Sequence, residues 1–124
     1  MFTGIIELFG QVQNIESLPS GLAFCIETSK ETIETLAIGE SIAVNGVCCT
    51  VIKCSDTLFY FEASPETLAL TTFKLLEVGQ KVHLEIPLSL SKPLGGHFVT
   101  GHVDEVINIG SIVPMNDFSV YVFE

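Results

Sequence analysis

The segment Gly95–Asp104 holds two of the three histidines and three of the ten glycines of the chain. A histidine side chain can take up or release a proton near neutral pH, and glycine lets a ligand approach the backbone closely. His97 and His102 are five positions apart, so on an extended segment they point to opposite faces. Only a bend brings both into one pocket. Otherwise one of them hydrogen-bonds a backbone carbonyl, and the glycines form a linker.

The cysteines offer a thiol but do not predict a metal site. They are Cys25, Cys48, Cys49 and Cys54. No Cys-x-x-Cys pair and no histidine at ligand spacing accompanies them. Because Cys48 and Cys49 are adjacent, on a strand they face opposite ways, and one of them is expected in the core as a small hydrophobe. Cys48 shares its strand face with Thr50, and this Cys-x-Thr face is a candidate wall for a small ligand.

Two further motifs have both an ordinary and a functional interpretation. Ser64-Pro65-Glu66-Thr67 predicts a helix start, with Ser64 as the N-cap that stabilises by about 1 kcal/mol. The exposed backbone donors of that first turn could also hold a polar heterocycle. Phe2-Thr3-Gly4-Ile5 is either a plain N-terminal strand or a place where Gly4 lets a flat ring approach the backbone.

Composition excludes several function classes. The chain has 124 residues, fifteen acidic residues, five lysines, no arginine and a net charge of −10. Nucleic-acid binding needs cations to neutralise phosphates, so a nucleic-acid partner is not expected. Arginine is the usual bidentate phosphate clamp, so a ligand held by its phosphate group is not expected either. No apolar run approaches the roughly 18 residues that span a bilayer, and no signal-peptide pattern opens the chain. A cytoplasmic protein with reduced thiols is therefore expected, with its excess apolar surface facing a partner.

Apolar alternation and turn signals predict six strands and two short helices. A helix over Ser29–Leu36 is expected to have Thr28 as its N-cap, because Glu31 follows three residues later. Asn45-Gly46 predicts a tight turn or a bulge between two apolar runs. The predicted strands are Ile5–Ile15, Leu22–Glu27, Ser41–Val44, Val47–Lys53, Leu58–Ala63 and Val82–Ile86. This pattern favours an all-β fold, a six-stranded Greek-key closed barrel of about 90 residues.

The pattern then restarts. Residues 98–124 align with residues 1–27 without a gap, 97 positions apart. The identical pairs are Thr3/Thr100, Gly4/Gly101, Ile15/Ile112 and Glu27/Glu124. We therefore predict a first barrel over residues 1–90, a linker over 91–97, and the first two strands of an incomplete second barrel over 98–124. Two strands alone are marginal in water, so they must pair with something else.

Taken together, Met1–Ile5, Ser41–Val51, Glu66–Leu68 and Gly95–Asp104 closely resemble the riboflavin synthase family, in order and spacing over the whole chain. Members of that family carry two similar six-stranded barrels and a C-terminal helix, and they assemble as homotrimers. The resemblance implies a first lumazine-binding barrel and the start of a second. The family's active sites form between barrels of neighbouring subunits. The sequence therefore leaves open whether this chain is catalytically complete, and whether it forms a trimer or a dimer.

The resemblance implies a reaction that needs no metal and no redox cofactor. Two molecules of 6,7-dimethyl-8-ribityllumazine exchange a four-carbon unit, which gives riboflavin and 5-amino-6-ribitylaminouracil. Stacking two rings is mainly a positioning task, and one ring must also lose a methyl proton. His102 is the candidate for proton transfer, with Cys48 as its possible partner. The implied substrate-binding residues are Gly4, Ile5, Ile6, Cys48, Cys49, Thr50, Glu62, Ala63, Ser64, Pro65, Glu66, Thr67, Gly101, His102 and Val103.

Three alternatives remain beside this hypothesis. A non-catalytic lumazine protein of the same superfamily would bind the chromophore without converting it, although Cys48 and Gly101-His102 favour the enzyme lineage. A truncated binding domain would bind lumazine or riboflavin more readily than it turns lumazine over. An unrelated flavin reductase barrel would need an Arg-x-x-Ser/Thr phosphate motif, and the absence of arginine counts against it.

Overall fold

A computed structural model describes residues 1–124 and confirms the all-β fold class. None of its helices is long and apolar enough to cross a membrane. The strands are β1 (Leu8–Leu18), β2 (Gly21–Glu27), β3 (Ser41–Val44), β4 (Val47–Thr50), β5 (Lys53–Ser55), β6 (Leu58–Ala63), β7 (Lys81–Glu85), β8 (Ile109–Met115) and β9 (Phe118–Phe123). The helices are α1 (Lys30–Glu34), α2 (Pro65–Leu70) and a 3-10 turn at Thr72–Leu75.

The first seven strands form one antiparallel sheet in the order β4-β3-β7-β1-β2-β6-β5. Its two edge strands, β4 and β5, follow each other in the chain and are separated only by Val51 and Ile52. One bent segment therefore pairs with β3 at its start and with β6 at its end, and the sheet curls back on itself. The predicted six-stranded closed barrel is matched only in part. The edge strands β4 and β5 of the observed sheet are joined covalently by Val51 and Ile52, but they do not pair with each other through hydrogen bonds.

The inside of the curled sheet is filled by aromatic and branched side chains. Phe24 and Phe61 stack with ring centroids 5.0 Å apart, and Phe73 of the 3-10 turn packs against both. All three are almost completely buried. Because Phe73 closes this aromatic cluster, the preceding helix α2 is held against the same end of the sheet.

Local sequence signals explain the turns and caps that shape this sheet. Asn45 and Gly46 both have positive φ, 48° and 81°, which is the backbone of the tight two-residue hairpin predicted for Asn-Gly. Ser64 caps α2 as predicted, with its hydroxyl accepting from the backbone N–H of Thr67 at 3.2 Å, and Pro65 follows at the first helical position.

The predicted N-cap of α1 is wrong by one residue. Ser29, not Thr28, accepts a hydrogen bond from the backbone N–H of Thr32, at 3.2 Å. Thr28 instead donates its hydroxyl to the carbonyl of Phe9 at 3.1 Å, so the end of β2 stays tied to β1. The pairing of neighbouring strands therefore moved the helix start one position along the chain.

The hairpin β8–β9 reproduces the hairpin β1–β2 at the offset of 97 residues. Val12 pairs with Ile26, and the corresponding Ile109 pairs with Phe123. Each hairpin then carries an irregularity at the same point, between Val12 and Asn14 in one and between Ile109 and Ser111 in the other. Unlike β1–β2, the second hairpin forms a separate two-stranded sheet, and all of its residues are exposed.

Candidate functional site

A cavity of about 340 Å³ opens between β4, α2 and the segment that follows the first sheet. This volume lies within the range of small-molecule sites, which starts at roughly 300 Å³. Its wall combines apolar side chains with a thiol, an imidazole, hydroxyls and a carboxylate. The lining residues are Val47, Cys48, Glu66, Thr67, Leu70, Thr71, Gly101, His102 and Val103.

Gly101 joins the late segment of the chain to β4. Its carbonyl accepts a hydrogen bond from the backbone N–H of Cys48 at 2.9 Å. Its φ is +78°, and a Cβ at this position would lie 2.9 Å from both the backbone nitrogen and the Cβ of Cys48. Glycine is required here both for the backbone conformation and for the close approach.

His102 follows directly and is exposed at the cavity wall. Its backbone N–H donates to the hydroxyl of Thr100 at 3.2 Å, which fixes the turn. The imidazole makes no hydrogen bond to the protein, so both ring nitrogens remain available to a ligand. An imidazole in this position can act as a general acid or base toward a bound ligand.

The adjacent cysteines have different surroundings, as the sequence predicted. Cys48 is half-buried and lines the cavity, whereas Cys49 is buried in the core and donates its thiol to the carbonyl of Val47 at 3.4 Å. Burial, and then the neighbouring Cys48, raise the pKa of the Cys49 thiol, which therefore stays protonated. Cys48 is consequently the thiol that can reach a ligand.

Helix α2 presents polar groups to the other side of the cavity. Thr67 lies within 3.1 Å of the capping hydroxyl of Ser64, and its carbonyl accepts the hydroxyl of Thr71 at 2.6 Å. Glu66 extends from the first turn of the same helix into the cavity wall. These hydroxyls and this carboxylate can hydrogen-bond a polar chain of several hydroxyl groups.

The structure brings together six of the residues predicted for the site: Cys48, Glu66, Thr67, Gly101, His102 and Val103. It leaves the others off the cavity wall. Cys49 and Ala63 are buried in the core, Thr50 and Glu62 are exposed on their strands, and Ser64 and Pro65 begin α2. Gly4, Ile5 and Ile6 lie on an exposed segment away from the cavity wall.

Sequence reasoning missed three lining residues, Val47, Leu70 and Thr71. Val47 and Leu70 are ordinary apolar residues of a strand and a helix end, and nothing in their type marks a ligand wall. Thr71 lies just beyond the end of α2 with an extended backbone, so helical spacing from Thr67 does not explain its place on the wall.

The N-terminal strap, Met1–Gly4, runs antiparallel to residues 97–99. Phe2 and Val99 exchange two backbone hydrogen bonds, of 2.8 and 3.0 Å, and the N–H of His97 donates to the carbonyl of Thr3 at 3.0 Å. Gly4 has φ +80°, nearly that of Gly101. After each glycine, the next backbone N–H donates to the preceding threonine hydroxyl at 3.2 Å. The two segments thus have the same turn and pair around a local twofold axis.

The chain is similar to known proteins along most of its length. The lumazine binding domain family matches residues 3–87. The chain is 44% identical over 121 residues to the riboflavin synthase of Bacillus amyloliquefaciens, covering 98% of this chain and 56% of the relative. It is 36% identical over 130 residues to the riboflavin synthase of Saccharomyces cerevisiae, covering 100% of this chain and 55% of the relative. The chain therefore spans about half the length of the curated relatives it matches.

Solved structures agree as well. A crystal structure of LumP complexed with 6,7-dimethyl-8-(1'-D-ribityl) lumazine superposes with a TM-score of 0.79 at 29% identity, covering 99% of this chain and 68% of that one. LumP complexed with riboflavin gives a TM-score of 0.78 at 30% identity, covering 94% and 62% of the two chains. The resemblance to the riboflavin synthases is confirmed, and the chain belongs to the lumazine-binding domain family.

Proposed function

We propose that the cavity binds 6,7-dimethyl-8-ribityllumazine and that the chain forms the N-terminal part of a riboflavin synthase. The observation that carries this proposal is the meeting of Cys48, α2 and Gly101–Val103 around one cavity of about 340 Å³. The riboflavin synthase relatives and the lumazine-bound LumP structure support the choice of ligand. The absence of arginine suits a ribityl chain, which carries no phosphate.

Within the cavity, each group has a role that follows from its chemistry. Val47, Leu70 and Val103 offer apolar surface to the flat ring. Glu66 and Thr67 hydrogen-bond the ribityl hydroxyls. The remaining predicted contacts, among them Thr50, Glu62 and Ser64, stay proposals for a ligand that reaches beyond the cavity wall.

In the reaction of the riboflavin synthase family, one lumazine ring must lose a methyl proton so that a four-carbon unit can pass between two lumazines. His102 is our candidate to accept that proton, and Cys48, on the strand that adjoins Gly101, is its partner. Both groups act without a metal or a redox cofactor. The chain's contribution to the rate is then chiefly to fix one ring in orientation before the second ring arrives.

The second ring needs a second site, and we propose that residues 98–124 open the barrel that provides it. We keep residues 1–90 as the first barrel and 91–97 as the linker. The equal register of β1–β2 and β8–β9 supports this division. The turn at Gly4, Ile5 and Ile6 is the same as the turn at Gly101–Val103. We therefore propose that Gly4–Ile6 contact the second lumazine ring in the way that Gly101–Val103 contact the first.

The exposed apolar surface of β8 and β9 is then covered within an assembly. By analogy with the riboflavin synthase family we propose a homotrimer, with a dimer as the alternative for this chain. Its four unpaired thiols suit a reducing compartment, and we propose the cytoplasm.

Titration and turnover measured side by side test the proposed function. We expect the 124-residue chain to bind lumazine, followed by its fluorescence, and to convert it to riboflavin slowly or not at all. A version that contains a complete second barrel should turn lumazine over. Failure of the 124-residue chain to bind lumazine or riboflavin would refute the proposed site, and efficient turnover by it would show that the second barrel is dispensable.

A non-catalytic lumazine-binding protein is the second candidate, and the LumP structures favour it specifically. The two functions differ in the fate of the ligand. A carrier holds lumazine unchanged even when the second barrel is complete, whereas a synthase consumes it and releases riboflavin. Absorbance of riboflavin in that complete version separates them.

A further inference from the structure

A carboxylate outside the cavity is buried at the end of β7. Glu85 is only 3% exposed. One of its oxygens accepts hydrogen bonds from the hydroxyl of Thr3, at 2.7 Å, and from the backbone N–H of Thr3. The other accepts from the backbone N–H of Gly4 at 3.1 Å. Burial of a carboxylate is unfavourable unless such bonds compensate it, and bonds to a charged acceptor are strong. Glu85 is therefore committed to holding the strap.

The strap is in turn the main support of the segment that leads into the cavity. Phe2 pairs with Val99 through two backbone hydrogen bonds, and Val99 is two residues before Gly101. The hydroxyl of Thr100 accepts only from the N–H of His102 and contacts no carboxylate. Apart from the bond between Cys48 and Gly101, the backbone hydrogen bonds that hold residues 97–101 to the rest of the structure run through the strap.

We propose that Glu85 is a positioning residue for the lumazine site, and this inference rests on the proposed function. The carboxylate holds Thr3 and Gly4, the strap holds Val99, and Val99 places Gly101 and His102 against Cys48. When the strap is detached, the wall is free to move and the site is not formed. Apparent affinity then falls in proportion to the fraction of molecules that keep the wall in place.

Two substitutions remove this anchor in different ways. Glu85→Gln replaces one of the two accepting oxygens by an amide N–H₂, which cannot accept a hydrogen bond. In one orientation of the amide the N–H of Gly4 loses its acceptor, and in the other the N–H of Thr3 does. Thr3→Val keeps the side-chain shape and removes the hydroxyl that donates to Glu85 and accepts from Ile5. We expect each variant to bind 6,7-dimethyl-8-ribityllumazine about tenfold more weakly, which corresponds to a site formed in roughly a tenth of the molecules.

Matched controls separate positioning from general stability. Thr3→Ser restores the hydroxyl and should bind within about twofold of wild type. Ser29→Ala removes the N-cap of α1, which lines no part of the cavity, and should lower the unfolding temperature through the loss of one cap. It should leave affinity unchanged. If Ser29→Ala weakens binding as much as Thr3→Val, or if Thr3→Ser fails to restore it, the positioning role is refuted.

Amide hydrogen exchange gives a readout that needs no ligand. Glu85→Gln and Thr3→Val should each raise the exchange rates of the Val99 and Cys48 amides about tenfold or more, while those of the core strand β6 stay unchanged. Unchanged exchange at Val99 and Cys48 overturns the inference, whatever the binding result. If wild type binds no lumazine but these amides respond as expected, the proposed function has failed and the anchor has not. If Glu85→Gln does not fold, Thr3→Val and Thr3→Ser carry the test.

Discussion

Gly101→Ala is expected to displace the cavity wall directly. An L-residue at φ +78° is less favourable by about 1–2 kcal/mol. The new Cβ would lie 2.9 Å from two atoms of Cys48, closer than real contacts allow, so the segment must shift. That shift breaks the bond between the Cys48 N–H and the Gly101 carbonyl, a further loss of about 1 kcal/mol. The combined change of about 2–3 kcal/mol predicts roughly 30- to 150-fold weaker lumazine binding.

Lumazine fluorescence titration measures this loss of binding free energy. Thermal unfolding of the same samples shows whether only the Gly101 segment has moved or the whole fold has been destabilised. Gly101 lies in no strand, and one backbone hydrogen bond, to Cys48, links it to the seven-stranded sheet. The segment can therefore move while the core around Phe24 and Phe61 stays packed. We expect the loss in binding free energy to exceed the loss in unfolding free energy.

Gly79→Ala is the matched control for the backbone conformation. Gly79 has φ +92°, yet nothing lies within 4 Å of a Cβ placed there, and the residue does not line the cavity. This variant should be destabilised by about 1–2 kcal/mol with unchanged affinity. Binding by Gly101→Ala within twofold of wild type, or an equal loss of binding in Gly79→Ala, would refute the reasoning.

Two further predictions concern His102 and Cys49. In a version with both barrels, His102→Ala should lower kcat more than it weakens lumazine binding; unchanged turnover would remove His102 from proton transfer. Burial raises the pKa of the Cys49 thiol, so above about pH 8.5 this thiol ionises only in the unfolded chain. The unfolding free energy of the wild type should therefore fall by about 1.4 kcal/mol per pH unit because of this group. Cys49→Val should show a correspondingly shallower slope in urea unfolding from pH 7 to 10; equal slopes would contradict this account.

Local features of the fold were predictable because their causes are local. Ser64 before Pro65 predicts a capped helix, as observed. Asn45-Gly46 predicts a tight turn or a bulge, and the structure has the turn, with positive φ at both residues. Thr28 does not cap the helix because its hydroxyl is directed at the carbonyl of Phe9, nineteen positions earlier, and the hydroxyl of Ser29 accepts from the helix instead. That competition depends on strand pairing, which residue type alone does not encode.

The site was predictable in its residue types but not in its geometry. Cys48 and Gly101 are 53 positions apart, and only the folded sheet brings one amide to the other carbonyl. Adjacent residues on β4 face opposite ways, so Cys49 was expected to differ from Cys48. The Cys48 face was predicted as the ligand wall, yet Thr50 on that face does not line the cavity. The role of Glu85 was hidden because a glutamate at a strand end usually faces water.

The antiparallel pairing of the strap with residues 97–99 also has a consequence for how such a protein could have evolved. One part of the cavity wall, Gly101–Val103, comes from the segment that aligns with the opening residues of the chain, whereas β4 and α2 supply most of the rest. If the two halves arose by gene duplication, a single-repeat ancestor would have lacked this wall by itself. Two copies would have completed each other, each lending its Thr-Gly turn across the dyad. On that account, fusion into one chain would have made the formation of the pocket independent of protein concentration.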